Sequence, residues 1–270
     1  ENVGTPSSVA ACARAFGIPV IAPTDPNNQE CQTILSQQEA DIFILGGYGK
    51  ILRLGVIDIP KIMCINLHGG KLPHYRGSSP MNWVLIKGET SFTLSIIKVD
   101  AGVDTGPVLQ ERTFPIGIND TIADLHTIAE AQFPQMLTEV VGRLAQGKYE
   151  FLPKKQSEAG YFPLRFPEDG FILWDMYTAK EVHNRIRALT EPYPCAFTLY
   201  GGRKVKLLRS ELTTTPYYGE PGRIYQKSMR GLLVCASDCC VFITKAIFED
   251  DSTDVLEAVI SVNLKKRLTP

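Results

Sequence analysis

The sequence has no long hydrophobic run, no excess of one charge, and no cysteine or histidine spacing that suits a metal. Each absence closes a class. Without about 18 consecutive apolar residues, no membrane-spanning helix is expected. A formal net charge of -1 and a pI near 6.5 exert no global pull toward nucleic acid or anionic membrane. The seven cysteines (Cys12, Cys31, Cys64, Cys195, Cys235, Cys239 and Cys240) fit neither zinc nor thioredoxin spacing, and an odd count argues against a full disulfide framework. Packing in a reducing cytosol is their simpler reading, so a cytoplasmic protein is expected. The four histidines, His68, His74, His126 and His183, are dispersed, and no metal is expected. The opening residues ENVGTPSSVA lack the basic-then-apolar layout of a secretory signal. Neither a G-x-G-x-x-G turn nor a P-loop is present, so GGYGKIL (46–52) is a weak phosphate signal.

What is present is enough apolar residue, 44% of 270, for one large domain or two smaller ones. Residues 6–16 read as a helix stopped by Gly17, 18–23 (IPVIAP) as a short buried strand, and 28–38 as a second helix. ADIFILGGYG (40–49) and CINLHGG (64–70) are apolar runs ending in glycines, the pattern of parallel strands reaching loops. This alternation predicts an α/β, Rossmann-like, mostly parallel sheet, whose ligands gather at the carboxyl ends of the strands. Strands at 93–99 and 108–116 flank DAGVDTGP (100–107), and a long helix at 120–146 should kink or break at Pro134. The expected organisation is a catalytic domain over 1–150, a Pro- and Gly-rich linker over 151–170, and a smaller β-rich, OB-like domain over 171–270 that opens with a helix at 178–190.

Chemistry concentrates in INLHGGKLPHYRGSSPMNW (65–83). Asn66 and His68 are two apart on a strand, so both side chains point to one side. A histidine there can shuttle a proton near neutral pH, and an asparagine can donate its amide to a developing oxyanion. Spacing alone leaves open a strand end whose polar groups merely satisfy a turn. In DAGVDTG the two aspartates could bind metal, hold a histidine, or make tight turns.

These stretches, with KGE (87–89), EDGFILWD (168–175), HNRIRA (183–188) and PYPCAF (192–197), resemble the folate-dependent formyltransferase family across nearly the whole chain. The family signature of Asn-x-His, Leu-Pro-x-x-Arg-Gly and Asp-x-Gly-x-Asp-Thr-Gly falls on Asn66 and His68, on Leu72, Pro73, Arg76 and Gly77, and on Asp100, Gly102, Asp104, Thr105 and Gly106. The chain departs from it at Gly70-Lys71 and at Phe92-Thr93-Leu94-Ser95, and it lacks the β-α-β unit with which the family opens. The resemblance implies formyl transfer from 10-formyltetrahydrofolate to an amine, with Asn66, His68 and Asp104 catalytic. It places folate against Tyr48, Gly49, Lys50, Ile51, Leu52, Val99 and Asp100, and the acceptor against Arg76, Gly77, Ser79, Pro80 and Asn82. The run from His68 to Trp83 resembles the nucleotide-sugar branch more than the methionyl-tRNA branch. From residue 161 onward, 15 Lys and Arg face 13 Asp and Glu, a weak basic bias for a tRNA face. RKVKLLR (203–209) and KKR (265–267) are the basic clusters there. The expected acceptor is therefore an amino-sugar nucleotide, with initiator tRNA as the alternative and a non-catalytic binding module as an alternative of another class. A homodimer is a further expectation, and the second domain's role stays open between binding, dimerisation and bracing.

Overall fold

Helix α1 (Pro6–Ala15) stops at Gly17, whose φ of +69° is left-handed, a conformation glycine adopts cheaply at a helix end. Helix α2 (Gln29–Ser36) starts at Asn28, whose side chain accepts the Cys31 N–H at 2.7 Å. There follow β1 (Ile42–Gly46), α3 (Leu54–Ile57), β2 (Met63–His68), β3 (Arg76–Gly77), α4 (Pro80–Lys87), β4 (Ser91–Lys98), β5 (Val108–Pro115), α5 (Ile122–Ala145), β6 (Tyr161–Phe162) and α6 (Ala179–Leu189). The chain continues through β7 (Ala196–Tyr200), β8 (Arg203–Leu212), β9 (Ile224–Ser228), β10 (Gly231–Cys235), β11 (Cys240–Phe248) and α7 (Val255–Ala258). The computed structural model describes residues 6–153 and 159–258, so the basic run at 265–267 and part of the expected linker lie outside the described residues.

Two compact units emerge, and they interleave along the chain. One holds the residues up to Gly77, Thr93–Arg112 and Ala131–Tyr161; the other holds Ser78–Phe92, Thr113–Glu130 and the chain from Phe162 onward. The α/β sheet has the order β1-β2-β4-β5. β1 and β2 run parallel, from Ile42 opposite Met63 to Gly46 opposite Leu67, and β4 lies antiparallel to β2. Both parallel strands thus end at the same edge. The sheet's interior is apolar, with Ile65, Leu94 and Ile96 fully buried. Burying each such side chain contributes roughly 2 kcal/mol. The second sheet, β7-β8-β11-β10-β9, is antiparallel, as short runs divided by turns led one to expect. Residues 161–170, expected as linker, carry β6 and a 3-10 turn over Pro167–Gly170.

Helix α6 ties its unit together. Thr178 and Glu181 cap each other's ends of its first turn. His183 donates from Nε2 to the Ile118 carbonyl at 2.8 Å and meets the Ser210 hydroxyl at 3.0 Å through Nδ1. Arg187 reaches the Gly117 and Asp120 carbonyls at 3.3 and 3.2 Å.

One expectation fails, and one half of another. Residues 18–23 form no strand among the described residues; Ile18, Val20 and Ile21 are exposed, and no neighbouring strand supplies a ladder. Pro134 does not break α5, which runs unbroken from Ile122 to Ala145. Pro134 and Glu130, whose carbonyl loses its helical donor, both face solvent, where water can satisfy that carbonyl.

Candidate active site

Asn66 and His68 stand at the carboxyl end of β2, two residues apart and on the same side. Asp104 arrives from the loop after β4. That loop is held shut by its own sequence. Asp100 Oδ1 accepts the Gly102 N–H at 3.1 Å and the Thr105 hydroxyl, Lys98 N–H donates to the Pro107 carbonyl at 2.9 Å, and Val99 N–H donates to the Cys64 carbonyl at 2.8 Å. A Cβ on Gly106 would lie 1.7 Å from the Lys98 carbonyl oxygen, so only glycine lets the loop return this closely. Asp104 itself sits at φ +52°, a left-handed backbone that turns its carboxylate back toward β2.

The three side chains converge. Asp104 Oδ1 is 3.6 Å from His68 Nδ1 and 3.5 Å from Asn66 Nδ2. His68 is 5% exposed and the Asp104 side chain 12%, so their charges act in a poorly screened setting. Two main-chain groups from one short segment fix them. The Tyr75 carbonyl lies 2.6 Å from His68 Nε2, and the Gly77 N–H donates to Asp104 Oδ2 at 2.9 Å. A carbonyl only accepts, so the proton of neutral His68 resides on Nε2, and Nδ1 faces Asp104 with its lone pair free. The segment is itself anchored: Tyr75 N–H donates to the Lys71 carbonyl at 2.9 Å, Arg76 N–H to the Gly160 carbonyl at 3.2 Å, and Ser95 Oγ to the Gly70 carbonyl at 2.9 Å. Sequence reasoning missed these anchors, because backbone partners leave no mark on residue type.

The residues expected to meet folate divide. Tyr48 to Leu52 follow β1, whose Gly46 lies opposite Leu67, so this loop leaves the sheet at the edge that carries Asn66 and His68. Tyr48 and Ile51 are 46% and 70% exposed. The loop is pinned from behind, with Lys50 Nζ on the Thr24 carbonyl, and Asn27 donating to the Ile51 carbonyl at 3.0 Å and accepting the Arg53 N–H at 2.7 Å. An exposed aromatic ring beside main-chain groups is a surface that fits a flat heteroaromatic ligand. Val99 and Asp100 spend their amide and carboxylate on the loop described above.

The expected acceptor residues are also mixed. Arg76 is half-buried and its Nε is buried without a partner. Ser79, at φ +51°, and Pro80 open α4. Asn82 is 2% exposed and donates its amide to the Ala188 carbonyl at 2.7 Å, so that nitrogen braces α4 against α6 instead of facing a ligand. Among the described residues no cluster of His, Cys, Asp and Glu is arranged to hold a metal ion, and no helix is long and apolar enough to cross a membrane.

The chain is similar to known proteins over most of its length. Residues 3–141 match the model of the formyl transferase family, and residues 166–257 match the formyl transferase C-terminal domain. The methionyl-tRNA formyltransferase of Geobacter sulfurreducens is 34% identical over 233 residues, spanning 86% of this chain and 72% of that protein. The N-formyltransferase of Helicobacter canadensis, solved with folinic acid and dTDP-3-aminofucose, superposes with a TM-score of 0.66 at 21% identity, over 88% of this chain and 82% of that one. A variant of HypX from Aquifex aeolicus superposes with a TM-score of 0.64 at 19% identity, over 90% of this chain but only 42% of its own.

Proposed function

The chain belongs to the formyl transferase family, and from that premise we propose that it moves a formyl group from 10-formyltetrahydrofolate to the amine of a nucleotide-linked amino sugar. The convergence of Asn66, His68 and Asp104 at one strand end carries the chemical part of this reading. When bound, the folate supplies the activated formyl carbon. Asn66 would direct its Nδ2 donor toward the formyl oxygen, where charge would gather under attack by a neutral amine. The amine proton passes to His68 Nδ1, the nitrogen left free by the Tyr75 carbonyl, and the ionised Asp104 stabilises the resulting imidazolium. His68 would then be placed to return that proton to the nitrogen that gives up the formyl group. Tyr48 to Leu52 form the surface against which the pterin lies.

Charge supports the sugar-nucleotide acceptor. The basic stretch that would suit RNA is spent internally: Arg203 pairs with Asp250 and Asp251, while Lys204 and Lys206 pair with Glu249. A strand neutralised in this way offers little to a phosphate backbone. The structural neighbour solved with an amino-sugar nucleotide supports the same reading. The second reading, initiator methionyl-tRNA as acceptor, draws its support from relatives such as the Geobacter enzyme. Parallel incubation with amino-sugar nucleotides and with methionyl-tRNA, followed by mass spectrometry, separates the two. A sugar nucleotide that gains one formyl in place of one hydrogen is the expected product; formylated tRNA alone would transfer the assignment.

A further inference from the structure

The loop that follows β1 is held by a turn distant in sequence, not by the sheet. Among the described residues, no main-chain group from Tyr48 to Leu52 bonds to another main-chain group. Asn27 supplies the missing partner. Its Nδ2 donates to the Ile51 carbonyl at 3.0 Å, and its Oδ1 accepts the Arg53 N–H at 2.7 Å. These partners lie 24 and 26 residues along the chain, whereas an asparagine that merely makes a turn bonds to main-chain groups within a few residues. The asparagine is itself well seated. Pro26 before it is buried, and its ring locks φ. The Asn27 N–H donates to Asp25 Oδ1 at 2.9 Å, and Gln32 Nε2 donates to the Asn27 carbonyl at 2.8 Å. Lys50 Nζ meets the Thr24 carbonyl, so a second brace comes from the same turn.

This pairing decides which edge of the loop stays open. A side-chain amide that meets a carbonyl and the N–H two residues on covers one edge of the chain, as a neighbouring strand would. The N–H and carbonyl of the residue between then face the opposite edge. Here the residue between is Leu52, and Arg53 is extended, at φ -94° and ψ 163°. Just downstream α3 buries Val56 and Ile57, which fixes the far end of the loop. An amide edge held in place beside the exposed Tyr48 ring suits a flat ring that carries its own donors and acceptors. We propose that Asn27 is a positioning residue for the folate: it orders the loop before the ligand arrives and turns the Leu52 edge toward it. Without Asn27 the ordering of the loop would be drawn from the ligand's own binding. The inference rests on the placement of folate against Tyr48 to Leu52 proposed above.

The test uses the whole chain with folinic acid as the probe, measuring affinity by calorimetry and amide exchange by mass spectrometry. In the wild type, folinic acid should slow exchange in peptides covering residues 48–54. Asn27→Ala should exchange these amides faster without ligand, melt within about 2 °C of the wild type, and bind folinic acid about tenfold more weakly. Gln38→Ala removes a comparable bond, from Gln38 Nε2 to the Ile34 carbonyl at 3.2 Å, but nothing that reaches the loop, and should match the wild type. If Asn27→Ala does not fold, Asn27→Asp carries the test: it can accept the Arg53 N–H, cannot donate to Ile51, and should still weaken binding about threefold or more. Affinity in a folded variant within about twofold of the wild type, while folinic acid still protects 48–54 in the wild type, overturns the role of Asn27 and leaves the folate placement standing. Protection that falls elsewhere in the wild type overturns the placement, and the role of Asn27 with it.

Discussion

Replacing Asp104 by asparagine preserves shape and removes one charge, so it isolates what that carboxylate does. In the native site Oδ2 is claimed by the Gly77 N–H, a donor that requires an acceptor. In Asp104→Asn the amide oxygen must therefore stay at the Oδ2 position, and its NH2 group takes the place of Oδ1. There it faces His68 Nδ1 and the amide of Asn66, at 3.6 and 3.5 Å in the native geometry. Two consequences follow. The NH2 donates to the Nδ1 lone pair and occupies the atom that should receive the amine proton. The imidazolium also loses a carboxylate at 3.6 Å, an attraction on the order of 4–5 kcal/mol at an effective dielectric of about 20. Local relaxation and water recover part of this, so kcat should fall roughly a hundred- to a thousandfold. Folate affinity should change little, because the lost interactions belong to the transition state. Single-turnover formyl transfer at several pH values, beside folate titration and a thermal melt, gives the answer. A folded variant that retains kcat within about threefold of wild type would refute the assignment of Asp104 and the tautomer argument with it.

Other outcomes can be stated more briefly. Asn66→Ala and His68→Ala should each lose at least about a hundredfold in turnover, the cost of one oxyanion donor or of the proton acceptor, with unchanged melting behaviour. Gly106→Ala pushes a methyl group into the Lys98 carbonyl; a loss of roughly 2–4 kcal/mol, read from urea unfolding, is expected, and a neutral result would mean the loop yields easily. Stability should also decline as the solution turns mildly acidic. Burial, the leading cause, holds His126 and His183 below the ordinary histidine value of 6.5, so the unfolded chain takes up protons first. Their contribution is complete above about pH 6.5 and drains away as pH falls toward the folded values. The urea midpoint should drop between pH 7 and 5.5, with a shallower slope in His183→Gln, and a flat midpoint would argue against neutral burial.

Much of the site was legible because glycine and turn chemistry are written in residue type. The glycine-ended strands located Asn66 and His68, and DAGVDTG announced a tight loop whose Gly106 has no room for a Cβ. What stayed hidden depends on partners distant in sequence or on the backbone. The Tyr75 carbonyl and Gly77 amide that set the histidine and the aspartate have no signature of their own. Asn82 joined the expected acceptor residues through the family resemblance, and the partner of its amide nitrogen, a carbonyl on α6, lies too far along the chain to be read from sequence. RKVKLLR looked like a free basic strand until β11 and the turn after it brought Glu249, Asp250 and Asp251 alongside. IPVIAP has strand propensity, but propensity makes no strand where no neighbour offers a ladder. The short helix α4 was not anticipated, although Pro80 at its start and Gly88, at φ +71°, at its end are the usual signals.

The most direct test of the central claim follows release of tetrahydrofolate from 10-formyltetrahydrofolate, with and without an amino-sugar nucleotide, for the wild-type chain and for a variant with Asn66, His68 and Asp104 all replaced by alanine. The account predicts release that depends on the acceptor in the wild type and disappears in the variant, while folate still binds to both. Release that ignores the acceptor, or that survives the triple replacement, would contradict it.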